Sequence, residues 1–359
     1  MSPSFQLMQS VHSTVSSTNQ QRSDIHFWKT GRIGELVFKG DCVISHEAAG
    51  VVLKCGEGVT DLQPGDQVAE EPGVPCERCF PCDDGRYNLC EDVQFAGVYP
   101  YAGTLQRYKV HPAKWLHKYV LCLEPLSVVM RGIQVARLQL GHEVVVCGAG
   151  PIGLIALAAA RASGAHPIVI TDIEPKRLAF AKFVPSCITY QVSRSLDAEG
   201  NARAIRALFG SCEYPTAETV LECTGVESSV GTAAFTARRG GAVIVIGVGK
   251  AVMNNLPFMH ISLAEIDLRF INRYRDTWPP AIACLSGGIL DLKKLVSHTF
   301  PLGRAVDALE LCADPRNGSI KVTLSWIKWR QQYKLFRLVD MHKVDLLLRW
   351  HDGKCLPWL

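Results

Sequence analysis

VVVCGAGPIGLIALAAARASGAHPIVITD, residues 144–172, decides the fold. Val144 to Cys147 is a short apolar run of the kind that forms a strand buried on both faces. Gly148, Gly150 and Gly153 follow in the order G-x-G-x-x-G. Ile152, Leu154, Ile155, Leu157 and Ala158 then keep helical spacing as far as Gly164, a C-terminal stop. A second apolar run, Pro167 to Thr171, ends on Asp172. Strand, triplet, helix, strand and acid in one unit form a dinucleotide-binding β-α-β fingerprint. Gly148 serves the tight turn, Gly150 the approach of backbone to a pyrophosphate, and Gly153 the packing of helix on strand. The helix that begins at Pro151 and Ile152 offers its unpaired N–H groups and positive dipole end to phosphate. Asp172 is placed to accept from the adenosine ribose hydroxyls. Its charge repels a 2′-phosphate, so NAD is expected over NADP. Arg177, five residues on, covers the adenine face or sits in solvent.

Outward from this unit, 359 residues suggest two domains. The net charge of +4 comes entirely from residues 323–359, with seven basic against three acidic side chains. The near-neutral remainder argues against a nucleic-acid-binding surface. No apolar run approaches the roughly 20 residues that span a bilayer. The first twenty residues are rich in Ser, Gln and Thr, without a basic start or apolar core, so a secretory signal is not expected. Fourteen cysteines then point to a reducing compartment, and the cytoplasm is the expected setting.

Residues 1–22 are polar and irregular and give no clear element. Cys42 to Val52 suggests a strand interrupted by Ser45-His46-Glu47, and Val51 to Val68 a β-hairpin with a Pro-Gly-Asp corner. Phe95 to Trp115 is β-rich, and Leu123 to Leu140 turns helical. Strand–helix alternation continues through Val220, Ile244 and about Ile271. The fold class is therefore α/β, a doubly wound parallel Rossmann sheet joined to a second, β-rich domain.

Between Pro72 and Glu91, Cys76, Cys79, Cys82 and Cys90 read C-x2-C-x2-C-x7-C. Four thiolates satisfy a tetrahedral zinc ion, and the two-residue spacings let turns aim successive sulfurs at it. With no position left open for substrate, this zinc is structural.

Ser45-His46-Glu47-Ala48-Ala49-Gly50, the cysteine lobe, Glu124-Pro125-Leu126 and GAGPIG together resemble the zinc-dependent medium-chain dehydrogenases. PIVITDIEPKRLAFAK, LECTGVESSV and RYRDTWPPAI look most like the polyol branch, which holds sorbitol, xylitol and fungal L-arabinitol dehydrogenases. The resemblance spans about Ser23 to Val322. It implies a GroES-like catalytic domain over 1–122, shortened at its start and carrying the zinc lobe 72–91. A Rossmann domain over 123–270, a return to the catalytic domain over 271–322 and an atypical tail over 323–359 would follow. The implied reaction is NAD-dependent oxidation of an L-arabinitol-like polyol to a ketose, with a second, catalytic zinc polarising the alcohol oxygen. His46 and Glu47 fall on that zinc's ligand pair, and Glu124 on its further glutamate. Ser23 and His26 match a segment that relays the alcohol proton to solvent; capping at the surface by Ser23-Asp24 is the alternative. Pro151 and Ile152 match positions at the phosphates, and Asp172 with Arg177 the adenosine end. Val248, Ile271, Asn272 and Arg273 match the nicotinamide wall, and Arg273 and Tyr274 the residues near the polyol hydroxyls. A homo-oligomer, a tetramer by resemblance, is implied, with no membrane or nucleic-acid partner.

Three departures stand against the resemblance. Gln21 occupies the place of a zinc-binding cysteine, and an amide oxygen is a poor substitute for thiolate. Ser45 replaces a glycine before His46. Only twenty unlike residues precede Gln21, and the stretch from His117 to Glu124 is short. The tail, with Trp326, Trp329, Trp350 and Trp358, has no matching periodicity. Together these departures suggest a damaged gene or faulty gene model. A non-catalytic protein binding NAD and zinc is the alternative function, and a zinc-ribbon nucleic-acid binder a third.

Overall fold

The computed structural model describes residues 10–20, 22–118, 123–210, 216–325, 348–351 and 354–357. Gln21, the core of the short stretch before Glu124, and Trp326, Trp329 and Trp358 lie outside them. The chain forms two compact units, Met1–Leu123 with Val296–Leu359, and Glu124–Leu295. In chain order the main-sheet strands of the first unit before the crossing are β1 (Ser10–Gln20), β2 (Ala48–Cys55), β3 (Gln67–Glu70), β4 (Tyr108–Pro112) and β5 (Leu116–His117). The second unit contributes β6 (Val144–Cys147), β7 (Ile168–Asp172), β8 (Cys187–Gln191), β9 (Ala217–Glu222), β10 (Ala237–Val245) and β11 (Asp267–Phe270). The first unit resumes with β12 (Val296–Pro301) and β13 (Lys321–Ser325).

In the first unit the sheet runs β12-β13-β1-β2-β3-β5, with β4 also paired to β1. The polar segment read as irregular is therefore its central strand. Val11, Ser13, Val15 and Ser17 are buried at every second position, so the alternation is there. Serine stands at half of those inward places, and no apolar pattern reveals it. β1 and β2 approach so closely that a Cβ on Gly50 would lie 2.1 Å from the carbonyl oxygen of Thr14. The hairpin between β2 and β3 forms with Val51 opposite Gln67. The strand expected from Cys42 begins only at Ala48, because Cys42 to Glu47 forms no ladder. Phe27, Phe38, Ile44, Leu105, Leu309, Val322 and Leu324 fill the main core under helix α1 (Arg22–Thr30). The Phe27 and Phe38 rings stack at 4.7 Å.

In the second unit the order β8-β7-β6-β9-β10-β11 is parallel throughout. That is the doubly wound 3-2-1-4-5-6 arrangement, with the strand order reversing between β6 and β9. Val145, Val169, Val220 and Val243 are fully buried in adjacent strands, as such a sheet requires. The helix α2 (Leu123–Ala136) precedes β6, and α3 (Pro151–Ala162) follows it. The chain returns to the first unit at Val296, later than the expected 271. Tyr274, Thr277 and Trp278 are 3%, 0% and 2% exposed, and the Thr277 hydroxyl donates to the Ser127 carbonyl at 3.2 Å, which ties this stretch into the second unit. Of the tail, 348–351 and 354–357 pair as a small antiparallel ladder. No helix of the described residues is long and apolar enough to cross a membrane.

The first unit also buries a charged network. Lys109 donates to Glu70, whose carboxylate lies 3.5 Å from His111 Nδ1. His111 Nε2 lies 3.0 Å from the Glu71 carbonyl oxygen, and Glu71 Oε2 lies 2.8 Å from His117 Nε2. Burial pushes the His111 pKa down from 6.5 to about 4, against the pull of the Glu70 carboxylate. For Glu70, burial raises the pKa, but Lys109 and His111 outweigh it and hold the carboxyl below its ordinary value. As pH falls from 6.5 toward 4, the unfolded chain accepts a proton that folded His111 refuses. Stability should then decline, by up to about 3 kcal/mol from this group, while above pH 6.5 it is unaffected. Glu70 adds loss in the same direction at lower pH. Urea midpoints across this range should show the slope, and His111→Gln should flatten it.

Candidate functional site

The turn after β6 has the geometry that a dinucleotide needs. Gly148 takes φ +99°, open to glycine and strained for other residues. A Cβ on Gly153 would lie 1.7 Å from the Gly148 carbonyl oxygen, so only glycine lets α3 start there. A Cβ on Gly150 would meet nothing within 4 Å, which leaves open space before the helix N-terminus. Pro151 stands at the first position of α3, and the first helical bond runs from Leu154 N to the Gly150 carbonyl. The N–H groups of Ile152 and Gly153 therefore lack helical partners, as a phosphate site requires.

Asp172 ends β7. One carboxylate oxygen accepts from Ala149 N at 2.7 Å and the other from Glu174 N at 2.9 Å. The acid thus shapes the glycine turn itself, and each oxygen keeps a lone pair for a ribose hydroxyl. Arg177 is half-buried on the short helix Pro175–Ala181 that follows. Val248 is 56% exposed beyond β10. Ile271 and Arg273 are half-buried and Asn272 exposed beyond β11, and Arg273 adopts φ +54°. Tyr274 is buried with its ring edge-on to Trp278 at 6.0 Å. Sequence reasoning passed over Glu222, fully buried at the end of β9. It accepts from Thr224 N, Gly225 N and Ser229 Oγ at 2.9 Å each and so fixes the neighbouring turn. An acid closing the apolar run AETVLE, like the one closing PIVITD, was the available signal.

In the cysteine lobe the sulfurs of Cys76, Cys79, Cys82 and Cys90 all lie within 4.8 Å of one another. A zinc ion with bonds of about 2.3 Å makes a sulfur tetrahedron with edges of about 3.8 Å, and this cluster fits it. The backbone of Glu91 leads the groups that draw the Cys79 thiol down to about 7, while burial pushes Cys90 up to about 12. Cys79 is therefore readier than Cys90 to meet a cation as thiolate. Among the described residues this is the one His/Cys/Asp/Glu group placed to hold a metal ion.

His46 is held differently. Its Nδ1 lies 3.2 Å from Asp24, a carboxylate 1% exposed, and its Nε2 lies 3.4 Å from Ser23 Oγ. Asp24 is thus no surface cap. It orients the ring from behind, the arrangement in which a carboxylate fixes a histidine that presents Nε2. Ser23 and exposed His26 share one side of α1, three residues apart. Glu47, the next residue, carries a buried ion pair. Lys321 Nζ donates to its two carboxylate oxygens at 2.6 and 2.8 Å, with both side chains buried. Glu124 is buried at the start of α2, within the second unit. Within the first unit, then, His46 is oriented by Asp24 and Glu47 is paired with Lys321. Asp24 and Lys321, both missed in the sequence, fix the positions of these two side chains.

Residues 9–124 match the model of the alcohol dehydrogenase GroES-like domain, and residues 151–287 that of the zinc-binding dehydrogenases. L-arabinitol 4-dehydrogenase of Aspergillus oryzae is 50% identical over 323 residues, 86% of this chain and 84% of that protein. The chain belongs to the zinc-dependent medium-chain polyol dehydrogenase family. Sorbitol dehydrogenase of Mus musculus is 42% identical over 296 residues, 80% of this chain and 81% of that one. Among solved structures, L-idonate 5-dehydrogenase of Escherichia coli aligns with a TM-score of 0.79 at 26% identity, covering 88% of this chain and 91% of that chain. The family and the cysteine cluster together give NAD and zinc as the cofactors.

Two substitutions test these sites. Gly153→Ala should weaken NAD binding at least tenfold, read by fluorescence titration, because the new methyl group pushes the helix N-terminus off the turn. Cys90→Ser should cost the purified chain its lobe zinc, read by metal analysis.

Proposed function

We propose that this chain oxidises a polyol of the L-arabinitol class to a ketose with NAD. The single observation that carries the reading is the Asp24–His46–Ser23 arrangement, found in a chain half identical to an L-arabinitol 4-dehydrogenase. The glycine turn and Asp172 hold the pyrophosphate and adenosine ribose, with Arg177 at the adenosine end. Val248 and Ile271 to Arg273 line the nicotinamide, and Arg273 and Tyr274 belong to the substrate side. NAD, when bound, supplies the hydride acceptor.

The proton has a route of its own. The Ser23 hydroxyl accepts the proton of the substrate alcohol as it gives up its own, His46 and Asp24 hold that hydroxyl in place, and the proton released from Ser23 leaves through His26, at the exposed side of α1, to solvent. A catalytic zinc, which His46 and Glu47 would help to hold, would polarise the alcohol oxygen. A homo-oligomer in the cytoplasm completes the reading. The free state of the described cysteines, including Cys42, Cys147 and Cys223, supports a reducing setting. Neither the comparisons nor the geometry favours a non-catalytic relic or a nucleic-acid binder.

The experiment is a polyol panel with NAD and NADP, followed by NADH or NADPH absorbance. NADH should form with L-arabinitol and related pentitols, with little turnover on NADP. Ser23→Ala should lower kcat by about 10- to 100-fold with NAD affinity retained. A protein that binds NAD yet turns over no polyol would overturn the reading.

A further inference from the structure

We propose that Glu227 is a positioning residue for the nicotinamide half of the cofactor: it pins the loop 248–256, which follows β10, to the start of the helix Glu227–Thr236. That role rests on the proposed placement of NAD, which it extends to the nicotinamide end. Asp172 puts the adenosine ribose at β7, on one side of the strand reversal. A dinucleotide laid across that crevice then carries its nicotinamide over β9 and β10. Val248 stands just past the end of β10 and is 56% exposed, an apolar side chain open at that place. From Gly247 to Pro257 the chain forms neither helix nor strand, so Val248 is not held by a ladder.

At its stem the loop lies directly on the turn that Glu222 shapes. Ile246 N and Gly247 N donate to the Glu222 carbonyl at 2.8 and 2.9 Å. A Cβ on Gly247 would fall 2.1 Å from Gly225 N, and one on Gly249 1.9 Å from the Gly225 carbonyl oxygen. Glycine on each side of Val248 permits this approach, and it also leaves the backbone free to turn. The orientation of Val248 is therefore set from farther along the loop. There Asn254 N and Asn255 N both donate to Glu227 Oε1, at 2.7 and 2.5 Å. Met253, just before them, folds back on the stem, its Cε 3.1 Å from where a Cβ on Gly249 would stand. What Glu227 holds thus bears on the glycine that follows Val248. The N–H groups of Asn255 and Asn254 keep the Glu227 carboxyl below the ordinary glutamate value, and a charged acceptor makes the stronger bond. Lys250 Nζ lies 3.8 Å from Glu227 Oε2, an exposed lysine that adds little.

The test compares NAD with ADP-ribose, which has the same adenosine and pyrophosphate but no nicotinamide ring, by calorimetric titration of the full-length chain. Glu227→Asp keeps the negative charge at the helix start, where the dipole favours it, so the fold is preserved. Its side chain is one methylene too short to reach both N–H groups. It should weaken NAD about tenfold, the size of a lost hydrogen bond to a charged group, and leave ADP-ribose within about twofold of the unaltered chain. Glu227→Gln, which keeps the reach and an acceptor oxygen, should hold NAD within about threefold. Trypsin reports on the loop itself. Cleavage after the exposed Lys250 should be faster in Glu227→Asp than in the unaltered chain, and unchanged in Glu227→Gln. The proposal is overturned if Glu227→Asp weakens both ligands equally or neither, or if it leaves cleavage after Lys250 unchanged. It is overturned equally if Glu227→Gln weakens NAD as much as Glu227→Asp does. An unaltered chain that turns over no polyol, with this binding pattern intact, would instead count against the proposed reaction alone.

Discussion

A carboxylate taken out of water must be paired, and among its described residues the first unit takes four of them out of water. Asp24, Glu47, Glu70 and Glu71 are 1%, 4%, 4% and 2% exposed. Left alone, any of them would cost several kcal/mol of desolvation. Each instead meets a cation or imidazole from a distant part of the chain: Asp24 with His46, Glu47 with Lys321, Glu70 with Lys109 and His111, Glu71 with His117. These pairs knit together strands that a polar β1 could not secure through apolar contact alone. They also fix the ring of His46 and the carboxylate of Glu47.

The second unit uses charge sparingly and differently. Its interior is a parallel sheet of valine, isoleucine and leucine, which needs no ionic partners. Asp172 and Glu222 stand at the C-terminal ends of β7 and β9, on either side of β6. Each accepts from backbone N–H groups of the turn beside it. Strand order reverses between β6 and β9, the position where doubly wound sheets open a crevice for ligand. The carboxylates therefore hold the loops at the mouth of that crevice in shape, in addition to any hydroxyl they bind.

This difference explains what could be read from the sequence. The Rossmann unit is legible because its determinants are local: a glycine triplet, a helical period and an acid at the end of a strand all fall within 144–172. The cysteine lobe is legible for the same reason. β1 escaped notice because serine stands at half its inward positions, and the strand is recognised only beside β2, β4 and β13. The fate of Glu47 was hidden more deeply, since its partner lies 274 positions away. A motif shows which residue types stand together, while their partners are settled by topology.

Ser45 shows how the aim of His46 is held. It adopts φ +77° while fully buried, a conformation that suits glycine and strains a serine by about 1–3 kcal/mol. The surrounding chain leaves little room to relax. Cβ atoms on Gly97 and Gly103 would fall 2.7 and 2.2 Å from the Ser45 carbonyl oxygen, so that loop lies directly on its backbone. Thr18 binds the Ser45 hydroxyl at 2.9 Å, the Thr104 hydroxyl at 3.0 Å and the Glu47 carbonyl at 3.0 Å. A serine here gains a hydroxyl contact that glycine could not make, which offsets part of the strain. The bend is therefore enforced from β1 on one side and from the 97–104 loop on the other. It turns the chain between Ile44, in the core, and His46, which faces Ser23, and the imidazole follows from that turn.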